Sequence, residues 1–229
     1  MNKQRPFRLK LGAMCLALAF SLPAVAAKDL PTSTTDGLVL KKQTEDGAVY
    51  LLEDASFAAY DKVAVSDVMI SFKKDWLRDH NRNIRSPANR VTDQDMVAIK
   101  EKMAEEFYAV FEKELNAGGF PTTNSAAADV LLVQPNIINL DIFAPTVNPA
   151  SRANTYAGAT GEMTLVLELY DSVSGAIMAR AIDFEVVGEN DLGHMASRSA
   201  NLAAYNETLE GWAKRLVKGL DRAKSAGPN

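Results

Sequence analysis

Residues 161–187, GEMTLVLELYDSVSGAIMARAIDFEVV, decide the fold. Met163, Leu165, Leu167 and Leu169 alternate with Glu162, Thr164, Val166, Glu168 and Tyr170. This is the period-two pattern of a strand with one face in a core. Asp171-Ser172-Val173-Ser174-Gly175 supplies turn residues, and Ala176 to Val187 reads as the returning strand. An isolated hairpin is marginal in water, so other elements must cover its apolar face.

The flanking sequence supplies them. Asp129 to Phe143 reads as a third strand, with an apolar run from Val130 to Val133 and Ile138, Leu140 and Ile142 alternating with Asn139 and Asp141. Pro135 has no N–H for a ladder, which predicts a bulge or an edge at that point. Upstream, Thr92-Asp93-Gln94-Asp95 has the form of a capping box. Met96, Ile99, Met103, Phe107, Val110, Phe111 and Leu115 follow at spacings of three or four, an amphipathic helix closed by Gly118-Gly119 and Pro121. Lys62 to Phe72 alternates with a slip near Ser66-Asp67, which predicts one bulged strand. Glu45-Asp46-Gly47 between two short apolar runs predicts a small hairpin. A second helix, from about Asn201 to Ala223, carries Leu202, Tyr205, Leu209, Trp212, Ala213, Leu216, Val217 and Leu220 as one stripe. The stretches Lys73 to Arg90, Ala144 to Gly158 and Gly188 to His194 read mainly as loops. The plan is an α/β two-layer (α+β) fold: a mixed, mostly antiparallel sheet with two amphipathic helices on one face.

Residues 1–26 read as a secretory signal peptide. Lys3, Arg5, Arg8 and Lys10 form a basic start without acids, Leu11 to Leu22 is apolar, and Ala24-Val25-Ala26 offers small residues for cleavage after Ala26 or Ala27. Met14 before Cys15 argues against lipidation at that cysteine, because a lipidated cysteine follows a small residue. A flexible leader is expected over 27–36, one domain over 37–223 and a disordered tail over 224–229. No later apolar stretch has spanning length, so no transmembrane helix is expected in the mature chain. The expected location is the periplasm or the outer-membrane surface. Without residues 1–26, which hold four basic residues and no acid, the formal charge of -4 becomes -8. That balance argues against a nucleic-acid partner.

Several of these features together resemble a family. Tyr60-Asp61-Lys62-Val63, Phe72-Lys73-Lys74-Asp75-Trp76 and Gly161-Glu162-Met163-Thr164-Leu165 stand in order along the chain. Leu167-Glu168-Leu169-Tyr170-Asp171-Ser172 and Trp212-Ala213 follow them. The set is similar to the bacterial domain of unknown function 3313, over roughly residues 37–223. The resemblance implies a small exported envelope protein, many members being lipoproteins. It brings no established activity and no catalytic residues.

Chemical motifs are sparse. The chain has one Cys and two His, His80 and His194, neither at a metal-ligand spacing. No metal, cofactor or catalytic residue is assigned. No Gly-x-Ser-x-Gly elbow occurs. Glu162 and Glu168 share a strand face but lie about 20 Å apart, too far for paired carboxylate chemistry. One segment departs from the acidic average. Lys73, Lys74, Arg78, Arg82, Arg85 and Arg90 face only Asp75 and Asp79, a local charge of +4 around Trp76. Two readings are open. The segment could bind an anionic envelope component such as a lipid headgroup, lipopolysaccharide or a glycan, with Trp76, Arg152, Asn154 and Tyr156 as a shared rim. Alternatively, its cations pair with the chain's own acids and hold the loop down. The resulting expectation is a non-enzymatic envelope accessory protein, a binding or assembly module whose partner is such an anion or another envelope protein. The alternative is a carboxylate-dependent hydrolase of envelope polymers.

Overall fold

The computed structural model describes residues 30–142, 161–188 and 198–225. In chain order the elements are β1 (Leu38–Gln43), β2 (Gly47–Leu52), β3 (Lys62–Val65), β4 (Met69–Phe72) and α1 (Trp76–Asn81). Then come α2 (Asp93–Ala117), β5 (Val130–Ile142), β6 (Gly161–Asp171), β7 (Ile177–Val187) and α3 (Arg198–Ser225). The strands form one seven-stranded sheet, ordered β1-β2-β7-β6-β5-β3, with β4 also paired to β5. The first four pairs are antiparallel, while β3 and β4 run parallel to β5. The mixed, mostly antiparallel sheet is therefore present, and the small N-terminal hairpin extends it through β2 and β7.

The β6–β7 turn is built by Asp171. Its Oδ1 accepts hydrogen bonds from the backbone N–H of Ser174 at 2.6 Å, the Ser174 hydroxyl at 2.7 Å and the Val173 N–H at 3.2 Å. Its Oδ2 accepts from the Tyr60 hydroxyl at 2.9 Å. These donors favour the carboxylate and hold its pKa down at about 2. Gly175 closes the turn at φ 70°, a conformation that suits a residue without Cβ.

The alternating leucines of β6 pack in one core cluster with Leu131, Val133 and Ile137 of β5. Phe107 and Phe111 of α2 and Leu209, Trp212 and Leu216 of α3 complete that cluster, so both helices cover one face. Phe107 and Phe111 stack with ring centres 3.9 Å apart. The capping box of α2 forms: Thr92 Oγ1 accepts from the Asp95 N–H at 3.2 Å, and the Thr92 N–H donates to Asp95 Oδ2 at 2.8 Å.

Three details correct the sequence reading. Lys62 to Phe72 is two strands instead of one bulged strand. The Tyr108 hydroxyl spans the break, donating to the Ser66 carbonyl at 2.7 Å and accepting from the Val68 N–H at 2.7 Å. Pro135 is neither bulged nor at a sheet edge, for it stays in register with Leu167. Val133 accepts from the Ser66 N–H at 2.9 Å, and Pro135 shares its parity, so the proline nitrogen faces the break between β3 and β4. No ladder donor is needed there. The irregularity falls instead at Asn139, with φ 54°. Third, Lys73 to Arg90 contains α1 and a 3₁₀ turn at Pro87–Asn89.

The sheet face away from the helices carries a second cluster of Leu38, Ala48 and Tyr50, with Leu30, Leu40, Leu52, Ile177 and Ile182 against it. Thr34 Oγ1 accepts from the Leu38 N–H at 3.0 Å, and the Thr32 carbonyl accepts from Leu40 at 2.9 Å. Arg180 reaches Asp36 at 2.5 Å and Glu168 at 2.6 Å. The leader expected over 27–36 is, from Leu30 on, held against the sheet. The tail expected over 224–229 begins inside α3, which ends at Ser225.

Candidate functional site

The basic segment leaves the sheet at the end of β4. Lys73 donates its N–H to the Leu140 carbonyl at 2.9 Å, and its ammonium meets Asp141 at 2.8 Å. That hydrogen bond raises the Lys73 pKa. Asp75 then adopts φ 62° and turns the chain into α1. The turn drives Trp76 inward. Its ring lies 4.5 Å from Phe72 and stacks on His80 at 5.1 Å, and the residue is 5% exposed. Trp76 is thus a buried anchor and not the rim residue that the sequence suggested. His80, half-buried under it, has its pKa lowered by burial against the pull of Asp141. Lys100 of α2 sits 5.7 Å over the Phe72 ring.

The outer side of α1 is a ladder of opposite charges. Arg78 pairs with Asp79 at 3.1 Å and Asp75 at 3.3 Å, and Arg82 pairs with Asp79 at 2.7 Å. The hydrogen bond from Arg78 lowers the Asp79 pKa and raises that of Arg78. The pairing reading therefore holds for part of the segment. Lys73, Arg78 and Arg82 meet acids of the chain. Lys74 and Arg85, both exposed, have no ion-pair or hydrogen-bond partner among the described residues.

Beyond α1 the chain forms a loop closed at its neck. The Asn81 side chain donates to the Val91 carbonyl at 2.7 Å and accepts the Val91 N–H at 2.9 Å. Val91 is buried, which fixes that side of the neck. Within the loop, Ile84 donates to the Asn81 carbonyl at 3.1 Å, and Arg90 Nε donates to the Ile84 carbonyl at 3.1 Å. Asn89 and Arg90 donate back to Ser86 and Pro87 in the 3₁₀ turn. The compact result is an Ω-type loop. From His80 to Thr92 there are three arginines and no acid. Sequence reasoning picked the arginines and not the neck, because nothing local marks which asparagine will meet Val91.

The other proposed rim residues, Arg152, Asn154 and Tyr156, lie outside the described residues, as do Ala26, Ala27 and His194. Among the described residues no group of three potential metal ligands occurs. On the sheet, carboxylates also gather in pairs bridged by an arginine. Arg180 joins Asp36 to Glu168, and Arg215 joins Asp183 at 2.7 Å to Glu185 at 2.5 Å. Burial pushes the Asp183 carboxyl up against the opposing pull of Arg215. A shallow apolar crevice with no room for a water molecule lies between Phe57, Tyr60, Val63, Phe120, Leu131 and Leu220, with Lys62 beside it. It contains no acid. No helix of the described residues is long and apolar enough to cross a membrane.

The chain belongs to the family described as protein of unknown function (DUF3313), whose model matches residues 32–216. No curated protein matches it. Among solved structures it is similar to the PelC dodecamer from Paraburkholderia phytofirmans, at 14% identity and TM-score 0.36, covering 74% of this chain and 96% of that one. A minor lipoprotein from Acinetobacter baumannii matches at 8% identity and TM-score 0.34, covering 74% and 97%. A putative neuraminyllactose-binding hemagglutinin homolog from Helicobacter pylori matches at 13% identity and TM-score 0.35, covering 76% and 91%.

Proposed function

We propose that this member of the DUF3313 family is a non-enzymatic accessory protein of the cell envelope that binds an anionic component through the segment from Lys73 to Arg90. In this reading the chain is exported, residues 1–26 are removed, and the mature protein acts in the periplasm or at the outer-membrane surface. One observation carries the reading: an exposed, acid-free loop with Arg82, Arg85 and Arg90 stands out from a chain that is acidic elsewhere. An acidic protein repels an anionic partner everywhere except at such a patch, so the patch selects both the partner and its orientation.

The test is retention of the mature protein on an immobilised polyanion at low salt. Binding is expected to fade as the Debye length shrinks from about 10 Å at 0.1 M to about 3 Å at 1 M salt. Failure to bind at low salt would remove the reading. Intact mass of the protein from its native compartment tests export, with a start at Ala27 or Lys28 expected. A mass that retains residues 1–26, or a lipidated start at Cys15, would overturn that part.

A further inference from the structure

We infer that the loop from Arg82 to Arg90 is a membrane-facing element whose ligand is the anionic headgroup layer of a lipid surface, held in its binding shape by Asn81. The inference rests on the anion-binding reading above and names the class of partner.

The geometry favours a surface over a single bound anion. A discrete anion requires donors that converge on one point. Here the three arginines are tethered differently. Arg82 is held at the neck by Asp79 at 2.7 Å, and Arg90 is folded across the loop to the Ile84 carbonyl at 3.1 Å. Arg85 has no partner among the described residues. Cations on separate tethers match an extended layer of phosphates, to which each contributes separately. Ser86, Pro87, Ala88 and Asn89 between them are all exposed, so the tip presents no acid and no bulky side chain to hold it off a flat surface.

The neck supplies rigidity. An open segment of this length would lose chain entropy on binding. Asn81 bridges both polar groups of Val91, and the Trp76–His80 stack fixes α1 beneath it. The loop therefore meets the surface with its ends already joined.

Co-sedimentation of the mature protein with vesicles decides the matter, using phosphatidylcholine alone and phosphatidylcholine mixed with phosphatidylglycerol. Binding is expected only to the mixed vesicles. Arg85→Gln is expected to weaken it about fivefold, and Arg82→Gln, Arg85→Gln and Arg90→Gln together about a hundredfold, following roughly one fivefold step per cation at the surface. Asn81→Ala leaves every charge in place and is expected to weaken binding severalfold at an unchanged salt slope; equal affinity would overturn the role of the neck. A thermal melt of each variant accompanies the assay. Should Asn81→Ala melt early, Asn81→Gln, which keeps a neutral amide but displaces it from Val91, replaces it. Binding to immobilised polyphosphate but not to the mixed vesicles would overturn the lipid inference and leave the anion reading standing. Binding to neither would overturn both.

Discussion

Arg180, in the middle of β7, lays its guanidinium across Asp36 and Glu168 at 2.5 and 2.6 Å, with side chains 21%, 34% and 17% exposed. Arg85, on the loop after α1, is exposed and meets no partner among the described residues. The side chain is the same, and the difference is topological. The ladder places Glu168 directly opposite Arg180, and the Thr34 turn brings Asp36 onto the same face. Both acids then offset the desolvation that opposes the arginine's charge, and its pKa stays raised. No ladder runs through the Arg85 loop, and no acid among the described residues meets its charge. A cation set in a ladder meets acids of the fold, whereas one on a clipped loop does not.

The comparison presumes that burial, and not charge, carries most of the stability. Phe107 is fully buried and stacked on Phe111. Truncating Phe107 to Ala is expected to cost about 3–5 kcal/mol in denaturant melts, and Trp212→Ala a similar amount. A change below about 1 kcal/mol would mean that the helix-covered face is not the main core. Next in size is Arg180→Ala. It strands two carboxylates, one about a third exposed and the other less, so the expected loss is about 2 kcal/mol, below the 3–5 of a fully buried pair. The double replacement Arg180→Met with Glu168→Gln should recover part of it. Equal losses in Arg180→Met alone and in the double variant would show that leaving Glu168 without its partner costs nothing.

Asp171 sharpens the contrast in another way, since it is a charge stabilised by the backbone. Its folded pKa of about 2 lies below the ordinary carboxylate range. The associated stability is therefore present above about pH 4 and is lost as pH falls toward 2. Because the group is close to solvent, the expected contribution is about 1 kcal/mol. Asp171→Asn should remove that pH dependence. An unchanged acid limb in urea melts between pH 4 and 2 would show that the turn does not depend on the charge.

Much of this was legible in the sequence because it depends on period. The alternation of Met163, Leu165, Leu167 and Leu169 and the helical stripes of α2 and α3 each report a face, and a face implies a layer. The capping box at Thr92 was readable because its partners are three residues apart. What the sequence hid depends on distant meetings. Tyr108 filling the break at Ser66–Val68 spans some forty residues. That meeting turns one expected strand into two and lets Pro135 sit inside the sheet. Trp76 looked like a rim residue because it stands among charges. The positive φ of Asp75, which sends it inward against Phe72, has no strong local signature in an aspartate. The basic segment was found by composition, yet composition could not say which arginines α1 would pair with its own acids.

The smallest expected effects bear directly on that division of arginines. Arg78 and Arg82 form ion pairs on the exposed side of α1, at spacings of one, three and three residues. Such pairs gain little, because water screens them and two long side chains must be held still. Arg78→Gln or Arg82→Gln should lower stability only marginally. Arg85 has no pair to lose, and Arg85→Gln should fall within about ±0.5 kcal/mol of the parent, with neither sign favoured. The informative quantity is the difference under salt. The small losses at Arg78 and Arg82 should shrink as ionic strength rises, whereas the stability of Arg85→Gln relative to the parent should not move. A salt-dependent loss at Arg85 would mean that it pairs within the chain after all, and the distinction between the locked arginine of β7 and the free arginine of the loop would no longer stand.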